Sequence, residues 1–134
     1  MIIGIGSDIV DIRRIENILN RHEERFKERC FTKGEQKLAE KRRGSGAYYS
    51  TYAKRFAAKE ACVKALGSGF IDDIIMKDIS IIQDKLGRPS IELNGGALRK
   101  LNSLIPQNMH PYIHLSLSDE PPYAQAFVVI EAHR

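Results

Sequence analysis

Apolar residues recur every three to four positions in the first half of this chain and alternate with polar residues in parts of the second half. The first spacing is typical of amphipathic helices and the second of half-buried strands. The pattern predicts a strand at 2–10, helices at 12–19, 32–43 and 47–66, strands at 79–83 and 89–93, a helix at 95–104, and strands at 112–118 and 124–131. Helices set apart from antiparallel strands indicate an α+β fold, with the helices on one side of an antiparallel sheet.

Polar residues and glycines mark where several predicted helices begin and end. Asp11 is placed to cap the first helix. Thr32 and Glu35 have the spacing of a capping box, so the second helix should begin there. Gly67 follows the longest helix, at a position where a left-handed backbone costs glycine little. The segment 119–122 contains two adjacent prolines and predicts a turn between the last two strands.

Length and charge narrow the class of protein. The chain has 134 residues, which predicts a single domain spanning residues 1–134. Residues 1–67 carry 15 Lys and Arg against 9 Asp and Glu, whereas residues 68–134 carry 6 and 8. A basic half favours an acidic partner: nucleic acid, a phosphate-bearing ligand or an acidic protein.

The number of cysteines and the hydropathy of the chain predict its location in the cell. The two cysteines, Cys30 and Cys62, do not make a disulfide framework, so we expect a reducing, cytoplasmic location. No apolar run approaches the ~20 residues needed to cross a bilayer, and we expect no membrane partner.

Two segments place carboxylates where a divalent cation could bind. GIGSDIV (4–10) is an apolar strand that opens at small residues and presents Asp8. RFAAKEACVKALG (55–67) stacks Phe56, Glu60 and Lys64 on one helix face, since residues four apart are neighbours. A Glu–Lys pair at this spacing is a common surface feature, but the flanking residues are apolar or small, so Glu60 should be largely buried and need a partner or a metal. A carboxylate from a strand end and another from a helix suit Mg²⁺, which keeps waters and phosphate oxygens as its other ligands.

These two segments, together with HLSLSD at 114–119, resemble the three signature motifs of the 4′-phosphopantetheinyl transferases, and most closely the small bacterial holo-acyl-carrier-protein synthases. The resemblance implies the phosphopantetheinyl transferase fold, with a long signature helix packed on one side of an antiparallel sheet. It implies homotrimers with active sites between subunits. It also implies a Mg²⁺-dependent enzyme of fatty acid biosynthesis. Such an enzyme moves 4′-phosphopantetheine from coenzyme A to a serine of apo-acyl carrier protein and releases adenosine 3′,5′-bisphosphate.

The resemblance further implies roles for individual residues. Asp8 and Glu60 match the metal-binding acids, and Lys64 matches a lysine that could contact a pyrophosphate oxygen. Glu60 and Lys64 are therefore the catalytic candidates. The base that takes the serine proton stays open between Glu60, a metal-bound water and another carboxylate. His114 matches a residue that would contact coenzyme A near the leaving nucleotide.

Other candidates have competing interpretations. Gly67 and Ser68 could offer backbone N–H groups to a phosphate, or simply form the cap of the helix. Arg42 could reach the 3′-phosphate of coenzyme A, or simply suit the helix dipole as part of a basic helix end. The candidates for docking the acidic acyl carrier protein are Arg14, which matches the carrier-binding arginine of the family, and Arg21 and Arg25.

The main alternative is a small basic RNA-binding module. Tyr48, Tyr49 and Tyr52 lie beside Lys54 and Arg55, and interleaved aromatic and basic residues can stack bases. The sequence has no RNP, KH or zinc-knuckle pattern, and no phosphate-binding loop or dinucleotide fingerprint of another nucleotide enzyme. We therefore expect no nucleic-acid partner.

Overall fold

The computed structural model describes residues 1–71 and 73–134. Its elements in chain order are β1 (Ile2–Asp11), α1 (Ile12–Cys30), α2 (Lys33–Glu40), α3 (Ala47–Leu66), a short 3₁₀ helix (Met76–Asp78), β2 (Ile79–Gln83), β3 (Pro89–Leu93), α4 (Gly95–Leu104), β4 (His110–Glu120) and β5 (Tyr123–His133). An antiparallel sheet has the order β1-β5-β4, and β2 and β3 form a separate antiparallel hairpin. The predicted α+β class is confirmed, with the strands divided between these two sheets.

Helix α3 is the centre of the core. It packs against β1 and β5 of the sheet, against α1 and α2, and against β2 of the hairpin. Ala57, Ala58 and Ala61 are fully buried, and small side chains of this kind let neighbouring elements approach closely. The long helix packed on one side of the sheet is therefore as predicted, and its bounds match those expected from the sequence.

Two glycines bring β1 into direct contact with the backbone of α3. A Cβ on Gly4 would lie 2.0 Å from the Ala65 carbonyl oxygen, and one on Gly6 would lie 2.0 Å from the Ala61 carbonyl oxygen. Successive side chains alternate across a strand, so Asp8 follows these glycines on the face that meets α3. Because Gly4 and Gly6 have no side chains, β1 can lie close enough to α3 to bring Asp8 next to the helix.

The predicted helix ends are confirmed by their hydrogen bonds. The Asp11 carboxylate accepts from the Arg13 backbone N–H at 2.9 Å and caps α1. The capping box at α2 is present in both directions, with Glu35 N to Thr32 Oγ1 at 3.2 Å and Thr32 N to Glu35 Oε1 at 2.8 Å. Gly67 ends α3 with a left-handed φ of 75°.

Several boundaries differ from the sequence prediction. Helix α2 ends at Glu40 and not at position 43, because the chain turns at 41–44. Helix α1 continues past position 19 to Cys30, with a kink at His22, because Phe26 and Cys30 carry its buried face onward. Strand β4 continues through Asp119 and Glu120, which pair with β5, so the turn is confined to the two prolines that follow. The sheet therefore extends into the segment 119–122, and only 121–122 form the turn.

The outer face of the sheet, on the side away from α3, exposes several large apolar side chains among polar ones. Ile5 and Ile9 of β1 are 60% and 64% exposed, and Phe127 of β5 is 45% exposed. Tyr112 and Tyr123, at 49% and 48%, continue this face along β4 and β5. None of the helices in the described part of the chain has the length and hydropathy needed to cross a membrane.

Candidate functional site

Asp8, Glu60 and Lys64 come together where β1 lies against α3. Lys64 Nζ lies 3.2 Å from Asp8 Oδ1 and donates to the Ser7 carbonyl oxygen at 2.9 Å. The Asp8 side chain is 18% exposed and that of Lys64 is 54% exposed, so the cluster opens to solvent on the lysine side. The three residues that the sequence selected for metal and phosphate chemistry therefore share one site.

Glu60 sits in an environment that disfavours its charge. Burial, and next the negative charge of Asp8, raise the pKa of Glu60, while the positive charges of Lys64 and Arg14 act in the opposite direction. Two like charges in a half-buried position repel unless a cation lies between them. The geometry is that of a site that gains from binding a positive ion.

The donor atoms of this site suit a hard cation. Asp8 and Glu60 supply oxygen ligands, which Mg²⁺ prefers, and Mg²⁺ is commonly held by one or two carboxylates together with waters and substrate phosphates. Across residues 1–71 and 73–134 no group of three or more His, Cys, Asp or Glu side chains is placed to hold a metal. Two carboxylates fit a Mg²⁺ ion that completes its coordination with waters and a phosphate-bearing substrate, and they do not form a closed structural site.

The backbone N–H groups of Gly67 and Ser68 are already used. Gly67 N donates to the Lys64 carbonyl oxygen at 3.0 Å, and Ser68 N donates to that of Val63 at 3.2 Å, which closes the end of α3. The idea that these two N–H groups bind a phosphate is therefore not supported by their geometry. Among the described residues, the buried Ser68 hydroxyl has no hydrogen-bond partner, and it is the atom of this pair that a ligand could engage.

A second polar site lies on the opposite side of α3, around Arg55, a residue that the sequence connected only with the RNA-binding alternative. Arg55 is 1% exposed, and its Nε and Nη2 atoms have no hydrogen-bond partner within the described chain. It lines a cleft of about 250 Å³ together with Lys54, Gln83, Pro89 and Ser116, at the junction of α3, the β2–β3 hairpin and β4. A buried guanidinium without a partner is costly, so this cleft is suited to an anion.

The charge around Arg55 strengthens this interpretation. Burial, and then the nearby charge of Arg42, lower the pKa of Arg55 to about 10, so the group stays charged at neutral pH. Arg42 donates to Thr51 Oγ1 at 2.7 Å, one helical turn before Arg55. The structure thus places Arg42 with the Arg55 cleft and not with the cluster at Asp8. The sequence could have indicated this site, because Arg55, like Glu60, is a charged residue in a largely apolar helix and needs a partner.

His114 is separated from the cluster at Asp8. It lies on the outer face of the sheet, paired across the ladder with Val129, and its Nε2 lies 2.6 Å from Glu131 Oε1. The hydrogen bond with His114 lowers the pKa of Glu131. His114 is on the outer side of β4 with Ser116, whereas Leu115 and Leu117 line the Arg55 cleft from the α3 side. Asp8 lies on the α3 side of β1, at the other edge of the sheet.

The candidate docking arginines lie on α1. Arg14, Arg21 and Arg25 are all exposed. Arg14 is close enough to Glu60 for its charge to act on that carboxyl group. A partner bound over Arg14 would therefore reach the edge of the Asp8 cluster.

The residues behind the RNA-binding alternative belong to the core. Tyr48 is 5% exposed and Tyr52 is fully buried, and the two rings contact each other edge to face with centroids 5.4 Å apart. Buried rings are not available to stack on bases, so this alternative loses most of its aromatic residues.

Comparison with known proteins identifies relatives over nearly the whole chain. Residues 4–120 match the model of the 4′-phosphopantetheinyl transferase superfamily. The chain is 51% identical over 132 residues to a protein of Chelativorans sp. (strain BNC1) named holo-[acyl-carrier-protein] synthase, covering 98% of this chain and 97% of that one. A crystal structure of the holo-[acyl-carrier-protein] synthase from Neisseria meningitidis matches with a TM-score of 0.81 and 37% identity, over 98% of this chain and 99% of the other. The Helicobacter pylori enzyme in complex with coenzyme A matches with a TM-score of 0.78 and 32% identity, over 95% and 99%.

Proposed function

The chain belongs to the 4′-phosphopantetheinyl transferase superfamily, and we propose that it acts as a Mg²⁺-dependent holo-acyl-carrier-protein synthase that releases adenosine 3′,5′-bisphosphate. The reaction moves phosphopantetheine from coenzyme A to a serine of the acyl carrier protein. The observation that carries the proposal is that Asp8, Glu60 and Lys64 lie together in one cluster that is exposed to solvent on the side of Lys64.

In this proposal Asp8 and Glu60 hold the cation and Lys64 binds the pyrophosphate. When bound, Mg²⁺ would neutralise charge that develops on the pyrophosphate oxygens. Lys64 can turn from the Ser7 carbonyl oxygen and Asp8 toward a phosphate oxygen, because its side chain is half exposed and flexible. Much of the catalytic effect in phosphoryl transfer comes from such positioning and charge neutralisation.

The carrier serine must lose a proton as its oxygen attacks the β-phosphorus. Glu60, a metal-bound water and another carboxylate are the candidate acceptors, and a pH–rate profile would give the pKa of the group that acts. Arg14, beside this site on α1, would guide the acidic carrier protein toward it.

The Arg55 cleft is proposed to receive a phosphate of the nucleotide end of coenzyme A. The guanidinium nitrogens that lack a partner among the described residues would donate hydrogen bonds to phosphate oxygens, and Arg42 adds positive charge nearby. The charge of Lys54 is paired with Asp119, whose Oδ1 lies 3.0 Å from Lys54 Nζ. His114, on the outer side of β4, would lie beside the nucleotide.

We propose that the protein assembles as a homotrimer through the outer face of the sheet. Within one copy the Asp8 cluster lies at the β1 edge and the Arg55 cleft at the β4 edge, and Arg55 and Lys64 are nine residues apart, so they point to opposite sides of α3. The outer face between the two edges exposes large apolar side chains, among them Ile5 and Phe127. A neighbour on that face would bring the β4 edge of one copy to the β1 edge of the next and so complete the site. Light scattering after size exclusion should give three times the mass of one chain.

The direct test is intact-mass spectrometry of an apo-acyl carrier protein incubated with this protein, coenzyme A and Mg²⁺. We expect a mass gain of one phosphopantetheine that is lost in EDTA and in the Asp8→Ala and Glu60→Ala variants. If folded wild-type protein modifies no carrier protein and does not bind coenzyme A, the proposal is wrong. If transfer persists unchanged in both variants, the assigned metal site is wrong.

A further inference from the structure

Lys59 and Glu35 form an ion pair in the interior of the protein, outside the cluster just described. Lys59 Nζ lies 2.8 Å from Glu35 Oε1, and the two side chains are 0% and 1% exposed. Lys59 belongs to α3 and directly precedes Glu60, whereas Glu35 lies in the first turn of α2.

The ammonium of Lys59 and the carboxylate of Glu35 each make three hydrogen bonds. Besides the carboxylate, the Lys59 ammonium donates to the carbonyl oxygens of Met76 at 3.1 Å and Ile79 at 2.7 Å. These are the three bonds that an ammonium can donate. Glu35 accepts in turn from Thr32 N at 2.8 Å and from Ile81 N at 2.7 Å. The pair thus joins α3 to the start of α2 and to strand β2 at fixed points.

This arrangement constrains the rotation of α3 about its own axis. An apolar contact tolerates small rotations, whereas an ammonium held by three acceptors from separate elements has one favourable direction. Glu60 is the next residue, about 100° around the helix, so any rotation that disturbs Lys59 also moves Glu60. At about 6 Å from the helix axis, a rotation of ~10° displaces a side-chain tip by about 1 Å.

We propose that the Lys59–Glu35 pair is a positioning element that sets the rotation of α3 and thereby holds Glu60 and Lys64 beside Asp8. The inference rests on the proposed function, since it concerns the geometry of that metal and phosphate site. A purely stabilising role explains the pair less well, because buried ion pairs contribute little net stability compared with apolar residues of the same size. An apolar pair at these positions would also leave the carbonyl and N–H groups of the neighbouring elements without partners.

The test uses Glu35→Gln, which keeps the shape of the side chain and removes its charge. Mn²⁺ binding in the presence of coenzyme A is measured by water proton relaxation, and transfer to apo-acyl carrier protein is measured under the same conditions, well below the melting temperature. We expect the Kd for Mn²⁺ to rise tenfold or more and kcat to fall at least tenfold, with a smaller change in KM for coenzyme A. A role in stability alone would lower the melting temperature and leave the Kd and kcat of the folded protein unchanged.

Glu40→Gln is the matched control. Glu40 also pairs with a buried lysine, since Lys27 Nζ lies 2.9 Å from Glu40 Oε2, and that ion pair joins α1 to α2. Glu40 Oε2 also accepts from the Tyr52 hydroxyl of α3 at 2.8 Å, a hydrogen bond that the side-chain oxygen of glutamine can keep. We expect this variant to melt earlier and to keep the Kd for Mn²⁺ within twofold of wild type. A folded Glu35→Gln variant with Kd and kcat within twofold of wild type would overturn the positioning role.

Two further outcomes separate the possible failures. If Glu35→Gln does not fold, Glu35→Asp decides, because it keeps the charge but shortens the reach to Lys59 by one methylene. A weaker Mn²⁺ affinity in that variant supports the role and an unchanged one refutes it. If wild-type protein neither binds Mn²⁺ with coenzyme A nor modifies the carrier protein, it is the proposed function that fails.

Discussion

Replacing Gly6 with alanine tests whether the contact between β1 and α3 sets the geometry of the site. The added Cβ would lie 2.0 Å from the Ala61 carbonyl oxygen and 2.8 Å from the Ala65 backbone nitrogen. The first separation is 1.4 Å short of the 3.4 Å at which ordinary van der Waals contact begins. Both opposing atoms are backbone, so no side chain can move aside and β1 itself must shift away from α3.

The expected cost has two parts. Overpacking of this kind typically destabilises a protein by ~1–3 kcal/mol. A shift of about 1 Å in β1 also carries Asp8 away from Glu60, and a displacement of that size can lower a rate by ~100-fold. We therefore expect Gly6→Ala to fold with a lower melting temperature, to bind Mn²⁺ in the presence of coenzyme A more weakly, and to transfer phosphopantetheine about 100-fold more slowly.

Gly46→Ala is the control for this experiment. Gly46 precedes α3 with φ −61°, and a Cβ there meets no atom within 4 Å. This variant should keep wild-type transfer and melting. Gly6→Ala with wild-type metal affinity and transfer rate would refute the reasoning, because β1 would then have another way to present Asp8.

Three further substitutions test separate parts of the structure. Because burial and Asp8 raise the pKa of Glu60 above its unfolded value, its ionisation costs stability as the pH rises through that folded pKa. Differential scanning calorimetry should thus find metal-free Glu60→Gln more stable than wild type at pH 7, with the difference vanishing near pH 4. With coenzyme A present, adding Mg²⁺ should give further stabilisation in wild type and none in the variant. Gly34→Ala should stabilise the protein by about 0.5 kcal/mol in urea unfolding, since Gly34 lies in the exposed first turn of α2 with room for a Cβ, and a lower midpoint would contradict this. Arg14→Glu should raise the KM for acyl carrier protein tenfold or more and leave that for coenzyme A within twofold, and an equal rise in both would argue against a docking role.

The sequence was sufficient where local rules decide the structure. The bounds of α3 follow from its apolar run and Gly67, and the cap at Thr32 follows from its spacing to Glu35. The grouping of Asp8 with Glu60 came from motif resemblance and a general preference of Mg²⁺, since nothing local to either segment shows that β1 lies on α3. Gly4 and Gly6 explain why β1 can lie on α3, but this is evident only from their contacts with the backbone of the helix.

Other features depend on contacts between distant segments. The Arg55 cleft is lined by residues of α3, the β2–β3 hairpin and β4, so no window of sequence contains it. His114 reads as a site residue in its motif, but the strand register decides that it faces away from α3. The N–H groups of Gly67 and Ser68 were candidates until the hydrogen bonds that end α3 were known. The cleft and the orientation of His114 thus follow from tertiary structure, whereas the hydrogen bonds of Gly67 and Ser68 are local to the end of α3.

Three of the charged residues of helix α3 differ in how far hydrogen bonds and ion pairs satisfy their charges, and this difference separates a structural role from a functional one. Lys59 is buried with every donor used, so it has no need of a ligand. Glu60 is half-buried beside another carboxylate, and Arg55 is buried with two nitrogens unpaired among the described residues. In the protein without ligands, Glu60 and Arg55 lower the stability of the fold. A bound cation would compensate the charge of Glu60, and a bound anion that of Arg55. Ligand binding should therefore be strongly coupled to stability, and saturation at 100 times the Kd would add ~2.7 kcal/mol to the free energy of unfolding. A protein arranged in this way is least stable when empty, because the groups that destabilise it are those that its substrate and metal would satisfy.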